Sequence, residues 1–442
     1  MQKIEFDKDF LWGCATASYQ VEGAIDADGR QPSIWDTFCK KDGAILHGDD
    51  GSIAADQYHR YKEDVQLMSE LNFQAYRFSI AWPRVLPEGR GEVNQKGLAY
   101  YINLSKELRS KGIKVVATLY HWDLPQVLQD EGGWAVRSTA YAFADYAKVC
   151  FEALGPYVDQ WITLNEPFCA AYLGYLYGEH APGIKNPQKA FQAVHYLNLA
   201  HGLAVKEYKK SGLRVPIGTT LNPSLPRPAS RKAEDEKAAL YARSIFTDVF
   251  LYPLVGKGYP KEVTEGMLIS FPILDGDMEI IAQPIDFIGI NYYMERAVVL
   301  DETKPFLHRE VPSWQRATNQ DWPIVPYGLL RILKYFDQVT NGLALYITEN
   351  GCATDDVLLD GRVHDHFRCD YINEHLAACK KAIDEGVNLK GYFVWSFMDN
   401  FEWAWGYSRR FGIVYVDYET QERFPKDSAY MMRDIISGYC EY

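Results

Sequence analysis

Two glutamates have the type and placement to do chemistry. Glu166 follows the apolar run Trp161–Leu164 in the stretch Asn165-Glu166-Pro167, and Glu349 follows Leu343–Thr348 in Glu349-Asn350-Gly351. A carboxylate closing an apolar run is costly to bury, so it must be hydrogen-bonded, paired or put to use. Two of them facing one cavity make the pair that glycosyl transfer requires. One protonates the departing oxygen, and the other attacks or activates water. Other apolar runs end in side chains suited to hydroxyl groups and sugar rings. His121-Trp122-Asp123 closes one and Asn291-Tyr292-Tyr293 another. Trp395 lies in a third, which leads on to Asp399-Asn400-Phe401-Glu402-Trp403, and Gln20 follows the first run. Asn, Gln, His and Glu hydrogen-bond hydroxyls, while indole and phenol faces stack on the C–H groups of a ring.

Such side chains need a frame that gathers the ends of strands. Eight short apolar runs recur: Phe10–Ala15, Ala75–Trp82, Val115–Tyr120, Trp161–Leu164, Val215–Leu221 (interrupted by Pro216), Ile285–Ile290, Leu343–Thr348 and Tyr392–Phe397. Their length and β-branched content predict buried strands. Amphipathic stretches separate them: Asp56–Leu71, Leu98–Ser110, Thr139–Leu154, Pro187–Lys210, Arg231–Phe250, Gly328–Phe336, Cys369–Gly386 and Pro425–Ser437. Eight strand–helix units predict a (β/α)8 TIM barrel, one domain over residues 1–442 with long βα loops and its chemistry at the C-terminal strand edge. An open doubly wound sheet is the alternative, but no G-x-G-x-x-G follows any of the runs.

Composition narrows the function classes. A chain of 442 residues suggests about three domains by length alone, but that prior is soft for α/β barrels. The balance of 46 basic against 59 acidic residues, with no basic run, argues against nucleic acid as a partner. No stretch of about 20 uninterrupted apolar residues is present to span a membrane. Met1–Phe10 lacks the apolar core of a signal peptide. The eight cysteines, Cys440 among them, form no C-x-x-C pair and read as small hydrophobes in a reducing cytoplasm. His364, His366 and His375 fit no metal-ligand spacing and read as a solvated polar helix start, so no metal is expected. Homo-oligomerisation is left open.

The ordered motifs carry a resemblance. Phe10-Leu-Trp-Gly-Cys-Ala-Thr-Ala-Ser-Tyr-Gln-Val-Glu22, Tyr76-Arg77-Phe-Ser-Ile-Ala-Trp82, Tyr120-His121-Trp122-Asp123, Thr163-Leu-Asn-Glu166-Pro, Asn291-Tyr-Tyr293 and Ile347-Thr-Glu349-Asn-Gly follow one another along the chain. Together they resemble the family 1 glycoside hydrolases, the β-glucosidase family, over essentially its whole length. The resemblance implies a retaining β-glycosidase on a (β/α)8 barrel, needing neither metal nor organic cofactor. It implies Glu349 as nucleophile and Glu166 as general acid/base, with carboxyl groups about 5–5.5 Å apart. Arg77 and Tyr293 are implied to hold the Glu349 carboxylate.

Gln20, His121, Asn165, Glu402 and Trp403 match positions that bind hydroxyls of the sugar being released, and Trp122 and Asn291 are counted with them. Trp395 matches the floor under that sugar, and Trp322 the platform for the leaving group. The phosphoglycosidase branch carries Ser in place of Glu402, so a non-phosphorylated glycoside is implied. The thioglucosidase branch replaces the acid/base with Gln, which Glu166 contradicts. A sugar-binding scaffold without catalysis would lack one or both carboxylates, and both are present. Trp405 and Tyr327 depart from the family pattern. The choice among glucose, galactose and fucose stays open, as does that between water and a second sugar as acceptor. Cys169, one turn past Glu166, reads as packing.

Overall fold

A computed structural model of the protein describes residues 5–438 apart from Trp314; Cys440 lies outside the described residues. Eight strands, β1 (Leu11–Ala15), β2 (Ala75–Ser79), β3 (Lys114–Tyr120), β4 (Gln160–Asn165), β5 (Ile217–Leu221), β6 (Phe287–Asn291), β7 (Ala344–Asn350) and β8 (Leu389–Trp395), close into a parallel barrel in sequence order. The ring shuts where Gly13 on β1 pairs with Phe393 on β8 and with Ala75 on β2.

Helices α1 (Gln57–Glu70), α2 (Gln95–Ser110), α3 (Arg137–Leu154), α4 (Pro187–Ser211), α5 (Ala233–Arg243), α6 (Pro326–Thr340), α7 (His366–Asp384) and α8 (Asp427–Ile436) follow the strands in turn. Their apolar faces bury Leu104, Phe143, Leu197, Leu333 and Leu376 beneath them. α4 shows why these segments are helical: Asn186 caps its start by accepting from Lys189 N–H, Pro187 sits in the first turn, and Gly212 ends it at φ 75°.

Two cores result from the period-2 alternation of the strands. Ala75, Val116, Ile162, Phe287 and Phe393 fill the barrel interior, whereas Tyr76, Val115, Trp161 and Ile288 pack outward under the helices. Most of the aromatic excess is spent here: Trp35, Trp82, Trp134 and Trp161 are fully buried.

The alternation breaks where it matters for the site. The pairing of β4 with β5 shifts register between Ile162 and Asn165. The pairing of β7 with β6 shifts between Ile347 and Glu349. Bulges of this kind re-aim side chains at barrel rims.

Two expected elements differ, and others appear that were not expected. The run from Ala75 to Trp82 ends as a strand at Ser79, and a short helix, Trp82–Val85, begins where Pro83 suits a first turn. The stretch Arg231–Phe250 is not one helix: after α5 the chain widens into i→i+5 turns over Ser244–Asp248 before Val249–Leu254. The segment after β4, Cys169–Tyr177, also winds with this wide spacing. Beyond the barrel, Ala297–Leu300 and His308–Val311 pair as a hairpin on the β6–α6 connection.

Candidate active site

The C-terminal ends of the strands bring together carboxyl, amide and indole groups. Arg77, in the middle of β2 and buried, organises them. Its Nη1 donates to Glu349 Oε1 at 2.6 Å, its Nη2 to Asn165 Oδ1 at 2.5 Å, and its Nε to Thr118 Oγ1 at 3.2 Å. Tyr293 donates from its hydroxyl to the other oxygen of Glu349 at 2.6 Å. Glu349 is therefore held by a guanidinium on one side and a phenol on the other.

Glu166 has different company. Asn291 Nδ2 donates to its Oε1 at 2.5 Å and also to Asn165 Oδ1 at 3.0 Å. Asn291 is fixed in turn by Thr348, whose hydroxyl donates to its Oδ1 at 2.8 Å. The Glu166 backbone stands in the left-handed region, at φ 47°, as do those of Trp122 (φ 76°) and Trp403 (φ 48°). Each such non-glycine conformation carries strain of about 1–2 kcal/mol.

These surroundings set the titrations apart. Burial pushes both carboxyls up. At Glu349 the Arg77 charge and the Tyr293 hydrogen bond oppose the rise. At Glu166 the neighbouring Glu349 charge adds to it, and the group is pushed up to about 8. Glu349 is the carboxyl that ionises first, and Glu166 keeps its proton through neutral pH. Burial, with the charges of Glu349 and Glu166 added, likewise pushes Glu402 up to about 8. His121 is driven well below its ordinary value by burial and by Arg77, so its ring is neutral.

The expected hydroxyl-binding side chains lie together. Gln20 Nε2 donates to Asn400 Oδ1 (3.0 Å), to the Phe401 carbonyl (2.9 Å) and to Glu402 Oε2 (3.4 Å). Gln20 Oε1 and His121 Nδ1 are buried with no protein partner among the described residues, which leaves them free for ligand hydroxyls. His121 Nε2 lies 3.1 Å from Asn165 Nδ2, and Trp122 Nε1 donates to the Asn165 carbonyl at 2.9 Å. The His121 ring is nearly parallel to both Trp395 and Trp403, at 5.8 and 6.0 Å between centroids.

Trp322 is half-buried, 5.5 Å from the Tyr293 ring and 6.1 Å from Phe411. A Cβ at residue 351 would collide with the Trp395 carbonyl, so the Gly of Glu349-Asn350-Gly351 lets β7 and β8 meet beside these groups. The loop carrying Glu402 is pinned from below. Asp399 accepts from Arg410 (2.6 Å), Lys426 (2.8 Å) and Gly412 N–H (3.0 Å), while Lys426 also bonds Asp356 beside the fully buried Arg368.

Some participants escape a reading of the sequence. Cys169 is not only packing: its thiol donates to Glu166 Oε2 at 3.0 Å. Its i, i+3 spacing from Glu166 on a turn was the available signal. Asn222, just past β5, donates to Cys169 Sγ at 3.4 Å, and nothing local marks it. His180 packs its ring against Trp35, Trp122 and Trp403. His364 and His366 lie at the start of α7, 2.8 and 3.9 Å from Asp427 on α8, whereas His375 is buried and bonds the Tyr371 carbonyl. Trp405 is half-exposed with Arg409 over its ring.

A closed (β/α)8 barrel presenting two unequal carboxyls among hydroxyl-binding amides and indoles is the layout of a glycoside-processing enzyme. The chain belongs to glycosyl hydrolase family 1, whose family model matches residues 2–439. It is 48% identical over 445 residues to beta-glucosidase A of Thermotoga maritima, covering 99% of each chain. It is 47% identical over 441 residues to the 1,4-beta-D-glucan glucohydrolase of Thermotoga neapolitana, covering 98% of each. The solved family 1 β-glucosidase from Thermotoga maritima superposes with a TM-score of 0.97 at 47% identity, covering 100% of both chains. The protein is a glycoside hydrolase. Among the described residues no helix is long and apolar enough to cross a membrane.

Proposed function

We propose that the protein is a retaining β-glucosidase that releases terminal, non-reducing β-D-glucosyl units from cello-oligosaccharides and from aryl or alkyl β-glucosides. The whole chain, residues 1–442, acts as one catalytic domain in a reducing cytoplasm, in keeping with the unpaired thiols of its described cysteines. Glu349 attacks the anomeric carbon while Glu166 passes its proton to the departing oxygen. The glucosyl group is then esterified to Glu349, and Glu166, now ionised, takes a proton from water as that water releases the sugar. Arg77 and Tyr293 hold Glu349 ionised and aimed. Gln20, His121, Asn165, Glu402 and Trp403 bind hydroxyls of the glucosyl unit, with Trp122 and Asn291 orienting Asn165. Trp395 lies under the ring, and Trp322 serves the leaving group.

The observation that carries this reading is the unequal setting of the two carboxyls: one is paired with Arg77 and Tyr293, the other raised to about 8 and, among the described residues, in no ion pair. The β-glucosidase names of the relatives support the substrate class. The decisive experiment replaces Glu349 with Gly. Hydrolysis of an aryl β-glucoside falls by about 10^3-fold or more, and added azide restores turnover with α-glucosyl azide as the product. A variant that keeps wild-type turnover, or yields the β-azide, overturns the assignment of nucleophile.

A further inference from the structure

The acid/base carboxyl needs a fixed direction as well as a raised proton affinity. Oε1 of Glu166 is occupied by the Asn291 amide, so the oxygen left to carry the transferable proton is Oε2. Among the described residues a thiol alone donates to Oε2: Cys169 Sγ, at 3.0 Å. The sulfur accepts in turn from Asn222 Nδ2 at 3.4 Å. The backbone ties the same two residues, since Cys169 N–H donates to the Glu166 carbonyl at 2.9 Å. Cys169 therefore touches Glu166 through main chain and side chain from one turn away.

We propose that Asn222 and Cys169 form a positioning relay that aims Oε2 of Glu166 and leaves its proton affinity high. This deepens the functional reading above, on which it rests. The relay works through the weakness of its donor. A hydroxyl at this place would give a short, charge-assisted bond to the carboxylate and stabilise the ionised form, whereas an S–H donor stabilises it far less. The sulfur thus fixes the rotamer of the carboxyl while lowering its pKa less than a hydroxyl would. Asn222 contributes by donating into the sulfur, which turns the S–H toward Oε2. The thiol stays protonated, because burial and the nearby Glu166 and Glu349 charges raise it well above its ordinary value.

The test compares wild type with Cys169→Ser, Cys169→Ala and Asn222→Ala. Two substrates are used: phenyl β-glucoside, whose leaving group needs a proton, and 2,4-dinitrophenyl β-glucoside, whose leaving group does not. Removing or strengthening one donor to a carboxylate shifts its pKa by about one pH unit. The alkaline limb of kcat/KM for the phenyl glucoside is therefore expected about one unit lower in Cys169→Ser and higher in Cys169→Ala. Misdirection of the proton makes the loss in kcat/KM of Cys169→Ala on the phenyl glucoside exceed that on the dinitrophenyl glucoside by about 10-fold, the scale of lost general-acid assistance. Asn222→Ala follows Cys169→Ala with a smaller effect.

The same order of shifts is expected in the 13C titration of the Glu166 carboxyl, which needs no turnover and so separates this proposal from the functional reading. A wild type inactive on both glucosides overturns that reading, while the carbon titration still decides the relay. Limbs and carbon titrations that coincide in Ser and Ala variants, or equal losses on the two substrates, would mean that Cys169 only packs, and the relay is overturned.

Discussion

Glu402→Gln perturbs the site with almost no change of shape. Glu402 titrates at about 8 in the folded protein, against 4.5 when exposed, because burial and the charges of Glu349 and Glu166 all oppose its ionisation. A group raised in the folded state supports folding fully below its unfolded value and loses that support as the pH climbs through the folded one. The window is therefore pH 4.5 to 8. Each pH unit across it withdraws about 1.4 kcal/mol, giving on the order of 2–5 kcal/mol once the site relaxes and admits water. Glutamine carries no such charge, so the variant escapes this loss.

For a chain of 442 residues the unfolding entropy is roughly 0.9 kcal/mol/K, so the expected gain in Tm is about 2–5 °C at pH 9. At pH 4.5 it shrinks toward zero. Thermal denaturation of both proteins at the two pH values reads the difference directly, with the titrating groups away from Glu402, Glu349 and Glu166 cancelled in the comparison. A Tm difference that is the same at both pH values, or larger at the lower one, would refute the assignment of Glu402 as a buried carboxyl strained by its two neighbours.

Four further outcomes are expected. The kcat/KM of wild type on an aryl β-glucoside with a poor leaving group declines above about pH 8 as Glu166 loses its proton, which a pH–rate profile reads. Tyr293→Phe removes the 2.6 Å bond to Glu349; at ~1.5–3 kcal/mol for a bond to a charge, the acid limb of that profile rises by about one to two pH units and neutral kcat/KM drops about 10–100-fold. Arg77→Met strands a buried carboxylate and lowers stability by about 3–5 kcal/mol, measured as a drop in Tm together with loss of turnover. Asn291→Ala takes a donor from Glu166, so the alkaline limb moves up by about one pH unit, opposite in sense to Cys169→Ser.

Much of the frame was legible because it rests on runs and periods. The interruption at Pro216 only delays β5 to Ile217, and the apolar run around Phe287 starts its strand two residues late. What escaped is what tertiary context decides. Nothing in Trp161–Leu164 or Leu343–Thr348 announces a bulge, yet the register shifts are what turn Asn165 and Glu349 toward the same space. Trp82 looked like the end of a strand because its neighbours are apolar, but Pro83 suits the first turn of a helix and removes a ladder donor. Cys169, one turn past Glu166, reads from sequence as packing. Its bond to Glu166 follows from the left-handed backbone at 166 and the turn after it, which no propensity encodes. Asn222 belongs to a different strand end from Cys169, and only barrel closure brings them together.

The left-handed backbones at Trp122, Glu166 and Trp403 bear on how this protein could change. Three strained positions, at about 1–2 kcal/mol each, are a sizeable fraction of the 5–15 kcal/mol by which ordinary proteins stay folded. Glycine at any of them relaxes the chain and deletes a side chain assigned to the reaction. At 122 and 403 the loss of a buried indole, about 3–5 kcal/mol, outweighs that relief, so a library screened for heat resistance alone would enrich glycine at 166, and those clones would be idle. Breeding for endurance and breeding for turnover pull this barrel in opposite directions, so a durable working variant has to gain its stability elsewhere, on the outer helices and their loops.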